Sequence, residues 1–450
     1  MRMWLCPPVH FEFFDIMNKT NKVCSPWSWI PTLYIAEGLP YFAVNTLTVL
    51  MYTNLGISKG EMAFLTGWLY LPWVIKPFWS PFVDMFSTKR RWILAMQALI
   101  CLSMGCVALA LPFSGFLLTT LIAFWIMAFA SATHDIAADG LYILALDPER
   151  QAAFVGVRST FYRIASVLGQ GGIVIFAGWL EVSLGDIPKA WGLTFGSLSL
   201  LFLLFYLYHI FFLPKVAADK SMPGRSGSGV AREFLDTFIT FFRKGHIIVA
   251  LSFMLLYRLP EALCLKLVQP FLHDPIEAGG LGMSTASIGF ANGTVGVVCL
   301  LAGGILGGIL ISRIGLRKSL LPMAASLTLP CLAYCYLSAV QPASLTLISI
   351  LIGFEQLGYG FGFTSFMMYL MYFCRGENTT SHYAFCTAFM ALGMMMPGMF
   401  AGWIFESLDS AGPLLGGLSA YEAFFWLIML LASVTFAVTF LVRKTLPENL

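Results

Sequence analysis

The chain has 450 residues, 58% of them apolar and 11% charged, with a formal net charge of +3. Soluble domains run at about 45–50% apolar and about 25% charged, so a water-soluble globular protein is excluded, and the small net charge gives no electrostatic case for binding nucleic acid. The ten cysteines are scattered. Cys101, Cys106, Cys264, Cys299, Cys331, Cys335 and Cys386 fall in apolar runs without paired-ligand spacing, so they read as small hydrophobes; no disulfide, metal site or cofactor is expected.

The N-terminal stretch does not read as a cleaved signal, because Cys6-Pro-Pro-Val-His10 interrupts its apolar run and Glu12 and Asp15 follow. Met17 opens a cleaner beginning, which leaves residues 1–16 either disordered or upstream of the natural start. A window of about 19 residues then finds apolar spans. They lie near 27–52, 60–82, 92–112, 116–146, 152–180 and 191–213, and again near 246–272, 284–311, 319–338, 344–374, 381–406 and 420–442. The pattern predicts an all-α polytopic membrane protein with twelve transmembrane helices in two six-helix bundles. Its parts are an N-terminal segment 1–26, a first bundle 27–214, a linker 215–245, a second bundle 246–442 and a tail 443–450.

The linker contains Pro223-Gly-Arg-Ser-Gly-Ser-Gly229, followed by Val230, Phe234, Leu235, Phe238, Ile239 and Phe242 at helical spacing. That stripe is either a helix lying on the cytoplasmic interface or part of a plain tether. With the N-terminus inside, nineteen Lys and Arg fall in inside segments and only Lys59 and Lys189 outside. Both termini are therefore expected to be cytoplasmic, with an even number of spans.

Two halves around a basic linker predict bundles that rock about a site at mid-membrane. Leu39-Pro40 and Leu259-Pro260 sit at similar depths in the first and seventh spans. Each proline frees a backbone carbonyl one turn back, and interrupted helices in matching positions are the best sequence pointer to a substrate site. Substrate is expected near Glu37, Tyr41, Arg258 and Glu261, with Arg163 and Glu355 as further contacts.

Ten charges fall within spans: Glu37, Lys76, Asp135, Asp139, Arg158, Arg163, Arg258, Glu261, Lys266 and Glu355. A Lys, Arg or Asp at a helix centre costs about 2.5–3.5 kcal/mol on the insertion scale, so each requires a partner or a purpose. A hairpin folded near residue 149 sets Asp135 level with Arg163 and Asp139 with Arg158. These pairs are the expected proton-coupling site, with Glu37 as the runner-up; structural ion pairing is the competing reading. Arg258 and Glu261, three apart, neutralise each other. His134 is read as a packing histidine. Trp68, Tyr70, Trp73, Trp79, Tyr359, Phe361 and Phe363 offer faces for a sugar ring, although most membrane aromatics are belts or packing. Glycines in Gly303-Gly304-Ile-Leu-Gly307-Gly308 allow close helix approach.

The loops Phe82-Val-Asp84-Met-Phe-Ser-Thr-Lys89-Arg90-Arg91 and Gly307-Gly308-Ile-Leu-Ile-Ser312-Arg313-Ile-Gly315-Leu-Arg317-Lys318 resemble the conserved loop of the major facilitator superfamily. That resemblance implies a gating latch of Asp84, Arg90, Arg91, Arg313 and Arg317, with Ser312 in the acid's place in the second copy. The same cations also serve positive-inside topology without any latch. Ala36-Glu37-Gly38-Leu39-Pro40-Tyr41, Lys76-Pro-Phe-Trp79-Ser-Pro81-Phe-Val-Asp84, Ala132-Thr133-His134-Asp135-Ile136-Ala-Ala-Asp139-Gly140 and Tyr162-Arg163-Ile164-Ala165 resemble the AmpG muropeptide permease family of that superfamily. The resemblance implies proton-driven import of anhydro-muropeptides across a bacterial inner membrane for peptidoglycan recycling. The implied partners are a small sugar-peptide or similar anion, protons and membrane lipid. The alternatives are a carrier of another bulky anion, such as an acyl-coenzyme A or a siderophore, and a membrane-embedded transferase. The short loops disfavour the transferase.

Overall fold

The computed structural model describes residues 25–217, 219, 227–376, 379–412 and 417–448. The expectations for residues 1–24, including the start at Met17, and for 220–226 of the linker lie outside the described residues. Every element among the described residues is helical.

Thirteen helical runs follow one another. The run α1 (26–54) is helix Pro26–Phe42, a π-helical turn Ala43–Leu47 and helix Thr48–Asn54. The run α2 (59–86) is Lys59–Trp68 and Leu71–Phe86, broken at Leu69 and Tyr70. Then come α3 (Lys89–Ala110), α4 (Phe116–Ala145), α5 (148–184, with a π turn at Leu168–Gly172) and α6 (Ile187–Phe212). After the linker helix α7 (Gly227–Phe242) follow α8 (Ile247–His273) and α9 (Thr285–Ile314, with a π segment Gly289–Gly296). The last four are α10 (Leu316–Val340), α11 (Leu345–Phe373), α12 (Thr379–Ser410) and α13 (Ala420–Thr445). Ten of them are long and apolar enough to cross a membrane. The ten do not include α1 and α2, which are diluted by Pro31, Pro40, Asn45, Pro72, Lys76 and Pro77.

Short polar connections supply the caps. Thr88 accepts from the Arg91 N–H, Asp147 from Arg150 and Asp186 from Lys189, and Ser419 with Glu422 forms a capping box. Both interrupted helices are where the prolines place them. Pro40 lies just ahead of the π turn in α1, whose Thr48 hydroxyl donates five residues back to the Ala43 carbonyl at 2.8 Å. Pro260 opens the second segment of α8, after a break at Tyr257 and Arg258. In each case proline removes an N–H from the ladder.

The buried apolar residues show how the halves meet. One cluster is shared by both, from Ala36–Tyr52 of α1 through Leu263–Leu272 of α8 to Tyr421–Ile428 of α13. It lies at the end remote from the linker. Toward the linker the core divides: Trp29–Tyr34, Ile93 and Ile136–Leu146 pack within the first half, while Phe253, Tyr257, Leu320–Leu327 and Phe366–Leu370 pack within the second. The halves are thus joined at the far end and apart at the linker end.

The linker helix packs on the second half. Phe241 is fully buried among Phe385, Phe389 and His382 of α12, and Thr240 lies 3.1 Å from His382 Nε2. Lys244 donates to the carbonyls of Phe373 and Arg375 at the end of α11, at 2.8 and 2.9 Å. Leu235 and Ile239 stay exposed on the opposite side, so α7 travels with the second half.

Only part of the glycine run makes close contact. A Cβ on Gly303 would lie 2.0 Å from the Leu357 carbonyl oxygen of α11, whereas one on Gly308 would meet nothing within 4 Å. Backbone cannot give way as a side-chain tip can. Gly303→Ala is therefore expected to destabilise by about 1–3 kcal/mol, the usual cost of overpacking, and to lower the thermal midpoint of the purified protein. Gly308→Ala should leave it unchanged.

Candidate functional site

A cavity of about 820 Å³ lies between the halves, a size that holds a drug-sized ligand. Its walls carry all six residues expected to bind substrate: Glu37, Tyr41, Arg163, Arg258, Glu261 and Glu355. Asp135 and Arg158 also line it; Asp139 does not, but is tied to it through both Arg158 and Tyr34.

In the first half the buried charges form one cluster. Arg158 Nη2 of α5 lies 2.9 Å from Asp139 Oδ1 of α4, and its guanidinium sits over the Tyr34 ring, whose hydroxyl donates to the same Asp139 oxygen at 3.2 Å. This is the contact expected from the hairpin. The other one is corrected: Asp135 is paired with Lys76 of α2, not with Arg163. Matching depth along a hairpin ignores direction around it. Arg163 is five residues beyond Arg158, which turns it about 140° around α5, and it lines the cavity without an ion pair among the described residues. The Glu37 carboxyl lies within hydrogen-bonding reach of Asp135, and its Oε2 is buried without a partner among the described residues.

His134, the neighbour of Asp135, is buried and turned away from the cavity. Its Nε2 lies 3.0 Å from Gln97, whose oxygen is 3.0 Å from Nδ1 of His209. Four helices are thereby bonded together, since His209 Nε2 also meets Thr32 at 3.0 Å. The histidine is a packing residue of the first half.

The second half balances its own charges. Arg258 donates from Nε to Glu261 Oε2 at 2.8 Å and from Nη2 to Oε1 at 2.6 Å, and Nη2 also reaches the Tyr359 hydroxyl at 2.7 Å. Its guanidinium lies 4.7 Å from the centre of the Phe363 ring. The break at Tyr257 and Arg258 makes this possible, because Arg258 caps the segment on which Glu261 forms the first turn. Glu355 of α11 accepts from Tyr334 at 3.1 Å and from Gln356 at 2.9 Å. Of the aromatics, Tyr70, Trp73, Tyr359 and Phe363 face the cavity, with the Tyr70 hydroxyl 3.2 Å from that of Tyr41. Trp79 packs on Phe129, and Trp68 is partly exposed.

At the far end the cavity is closed by contacts that the sequence reading did not foresee. Lys59 Nζ lies 2.7 Å from Asp274, which also accepts from Tyr421 at 2.9 Å. The Gly60 N–H donates to Glu406 at 2.7 Å, and Asn54 bridges Glu181 and Thr285 at 2.7 and 2.9 Å. Such loop-end pairs have no sequence signal, since each joins residues more than 100 positions apart. Lys76 did have one: it lies 17 residues past the start of α2, and Asp135 lies 19 past the start of α4. The two helices run in the same direction, so these counts place both charges at one depth.

Two of the loop arginines, Arg90 and Arg317, are engaged near their own half's helix ends. Arg90 donates to the carbonyls of Leu213 and Ile210 at the end of α6, at 3.2 and 2.5 Å, while the Lys89 and Arg90 N–H groups cap onto Asp219. Arg317 pairs with Glu448 at 3.3 Å, and Arg91 and Arg313 are exposed. The Asp84 side chain lies outside the described ones. Among the described residues no contact between the halves uses these arginines.

Comparison with known proteins places this architecture. The family model described as Major Facilitator Superfamily matches residues 32–396. The chain is 25% identical over 382 residues to the anhydromuropeptide permease of Escherichia coli K12, covering 83% of this chain and 73% of that protein. It is 23% identical over 383 residues to a putative transporter, AmpG 4, of Rickettsia conorii, covering 82% and 87%. Among solved structures, a point mutant of the nucleoside transporter NupG superposes with a TM-score of 0.69 at 13% identity, over 93% of this chain and 99% of that one. A bacterial homolog of the human lysosomal transporter Spinster, described as inward-facing and unoccupied, does so with 0.70 at 14% identity, over 92% and 96%. These superpositions show the fold alone.

The far-end closure depends on α2 and α12 meeting backbone to backbone. A Cβ on Gly402 would lie 1.9 Å from the Lys59 carbonyl oxygen. Gly402→Ala should therefore hold the far end apart, and thiol reagents should modify an engineered cysteine at Ala262 from that side faster than in the unaltered background. An unchanged rate would mean that the closure tolerates the methyl group.

Proposed function

Because this membrane transporter belongs to the Major Facilitator Superfamily and is an AmpG-type permease, we propose that it imports anhydromuropeptides across a bacterial inner membrane, driven by protons, for peptidoglycan recycling. It is a transporter and not an enzyme. The carrier would cross the bilayer twelve times, α1 and α2 included, with both termini and the linker in the cytoplasm, as the loop cations direct. On that orientation the cavity opens inward. The observation that carries the reading is the cavity itself, set between two halves and walled by charges and aromatic rings from both.

The proposed cargo is a bulky sugar peptide. Tyr41, Tyr70 and Trp73 offer the faces and hydroxyls that a sugar uses. Arg163, Arg258, Glu261, Glu355 and Glu37 provide charges for a peptide's ends. Arg258 is already bidentate on Glu261, so cargo would compete for that pair, whereas Arg163 is free to bind directly.

Coupling is assigned to the first-half cluster. Glu37, Asp135 and Asp139 stand against Lys76 and Arg158, three carboxyls to two cations, and one added proton makes the group neutral. Two carboxyls in contact cannot both ionise cheaply, so the proton would sit on Glu37 and Asp135. Movement that separates Lys76 from Asp135, or Arg158 from Asp139, would change the affinity for that proton. Asp84, Arg90, Arg91, Arg313 and Arg317 would latch the linker end in the opposite state.

The test is uptake of radiolabelled anhydromuropeptide into proteoliposomes, with and without an uncoupler. Accumulation should need the proton gradient, and Asp135→Asn or Glu37→Gln should abolish it while leaving counterflow exchange within about threefold of wild type. Accumulation by both variants would remove the coupling assignment. Transport of an acyl-coenzyme A or a siderophore, with none of the muropeptide, would replace the cargo.

A further inference from the structure

Among the described residues, the cations in and beside the cavity are paired with two exceptions. Lys76 has Asp135, Arg158 has Asp139, Arg258 has Glu261, and Glu355 is held by Tyr334 and Gln356. Arg163 in the first half and Lys266 in the second have no carboxylate among the described residues. Lys266 alone makes a contact across the halves.

Its ammonium donates to the Thr66 hydroxyl of α2 at 3.0 Å. That hydroxyl gives its own proton to the Met62 carbonyl at 2.7 Å, so it meets the lysine as an acceptor only. One of three ammonium N–H groups is thereby used, and the others have no partner among the described residues. The stem runs past Gly398 of α12, where a Cβ would lie 3.5 Å from Lys266 Cγ. Three helices of the far-end closure therefore surround this one side chain. One turn further along α8, Gln269 lines the same cavity with its Oε1 buried and without a partner among the described residues. A cation with free donors beside an orphaned amide oxygen fits a carboxylate whose neighbour carries an N–H. A peptide C-terminus has that chemistry.

We propose that Lys266 is the anion anchor of the second half, parked on Thr66 of the first half while the cavity is empty and transferred to a peptide C-terminal carboxylate when cargo binds. The transfer removes a hydrogen bond that holds the far end closed, so binding an acid and opening the far end are one event. Gln269 takes the amide N–H that precedes the carboxylate. The proposal rests on the transporter reading and adds to it the group of the cargo that is recognised.

Two substitutions separate an anchor from a structural hydrogen bond. Lys266→Met removes both the parked contact and the anchor, while Thr66→Val removes only the parking place. Spin labels carried by genetically encoded residues in place of Ser183, in the last turn of α5, and Glu277, in the turn after α8, both exposed at the far end, report closure by their distance. With no cargo, both variants should raise the far-end-open fraction about threefold to tenfold, the range of an interhelical hydrogen bond. If neither does, the parking contact is overturned. With anhydromuropeptide bearing a free C-terminus, Lys266→Met should weaken apparent binding about tenfold and Thr66→Val should tighten it, with Lys266→Arg near wild type. With the C-terminally amidated form, Lys266→Met should change nothing. Equal weakening for acid and amide, or weakening by Thr66→Val, overturns the anchor. If wild type binds no anhydromuropeptide, the cargo reading fails. The label distances still decide the parking contact, and N-acetyl-alanyl-alanine against its amide at millimolar concentration decides the anchor.

Discussion

A charge carried into an apolar interior must be met there, and the ion pairs that meet it around the cavity lie, among the described residues, each within one half. Lys76 and Arg158 answer Asp135 and Asp139 inside the first half, and Arg258 answers Glu261 inside the second. Breaking a buried pair by taking away one partner is strongly destabilising, because it leaves an uncompensated charge. Had these pairs crossed between the halves, every separation would carry that cost. Since they do not, the halves part at the linker end without stranding an ion.

What crosses between the halves is of another kind. Lys59 with Asp274, Gly60 with Glu406 and Asn54 with Thr285 all lie at the far end, where the partners on separation are water or the polar surface. The apolar core repeats the asymmetry, continuous at that end and divided at the other. Close approach there is made by backbone, not side chains. The π turn of α5 faces the π segment of α9, and a Cβ on Gly293 would lie 1.8 Å from the Gln170 carbonyl oxygen. Segments whose ladder is already irregular yield more readily than straight helix, so the joint is placed where the backbone has least to lose. The linker helix, seated on α12 through Phe241, lets the connection follow the second half.

Much of the site was legible because its signals are local. Asp135 and Asp139 are four apart and share a helix face, Arg258 and Glu261 are three apart beside a proline, and short counting across one hairpin brought Arg158 to Asp139. Arg163 shows where such counting ends: it sets a depth along the helix and says nothing of the direction around it. The partner of Asp135 stood on α2, two helices away in sequence, and only comparison of depth between helices running the same way would have chosen Lys76.

The sequence by itself determined that this protein lives in a membrane, that it is built in two halves about a basic linker, and which charges must be compensated. Those properties follow from composition and from periodicity along single helices, which need no knowledge of neighbours. Only the tertiary structure decided which charges pair, which end is closed, and that Arg163 and Lys266 face the cavity without an acid among the described residues. A span records how deep a residue lies. The azimuth of one helix against the next, set by packing of side chains far apart in the chain, decides what that residue meets.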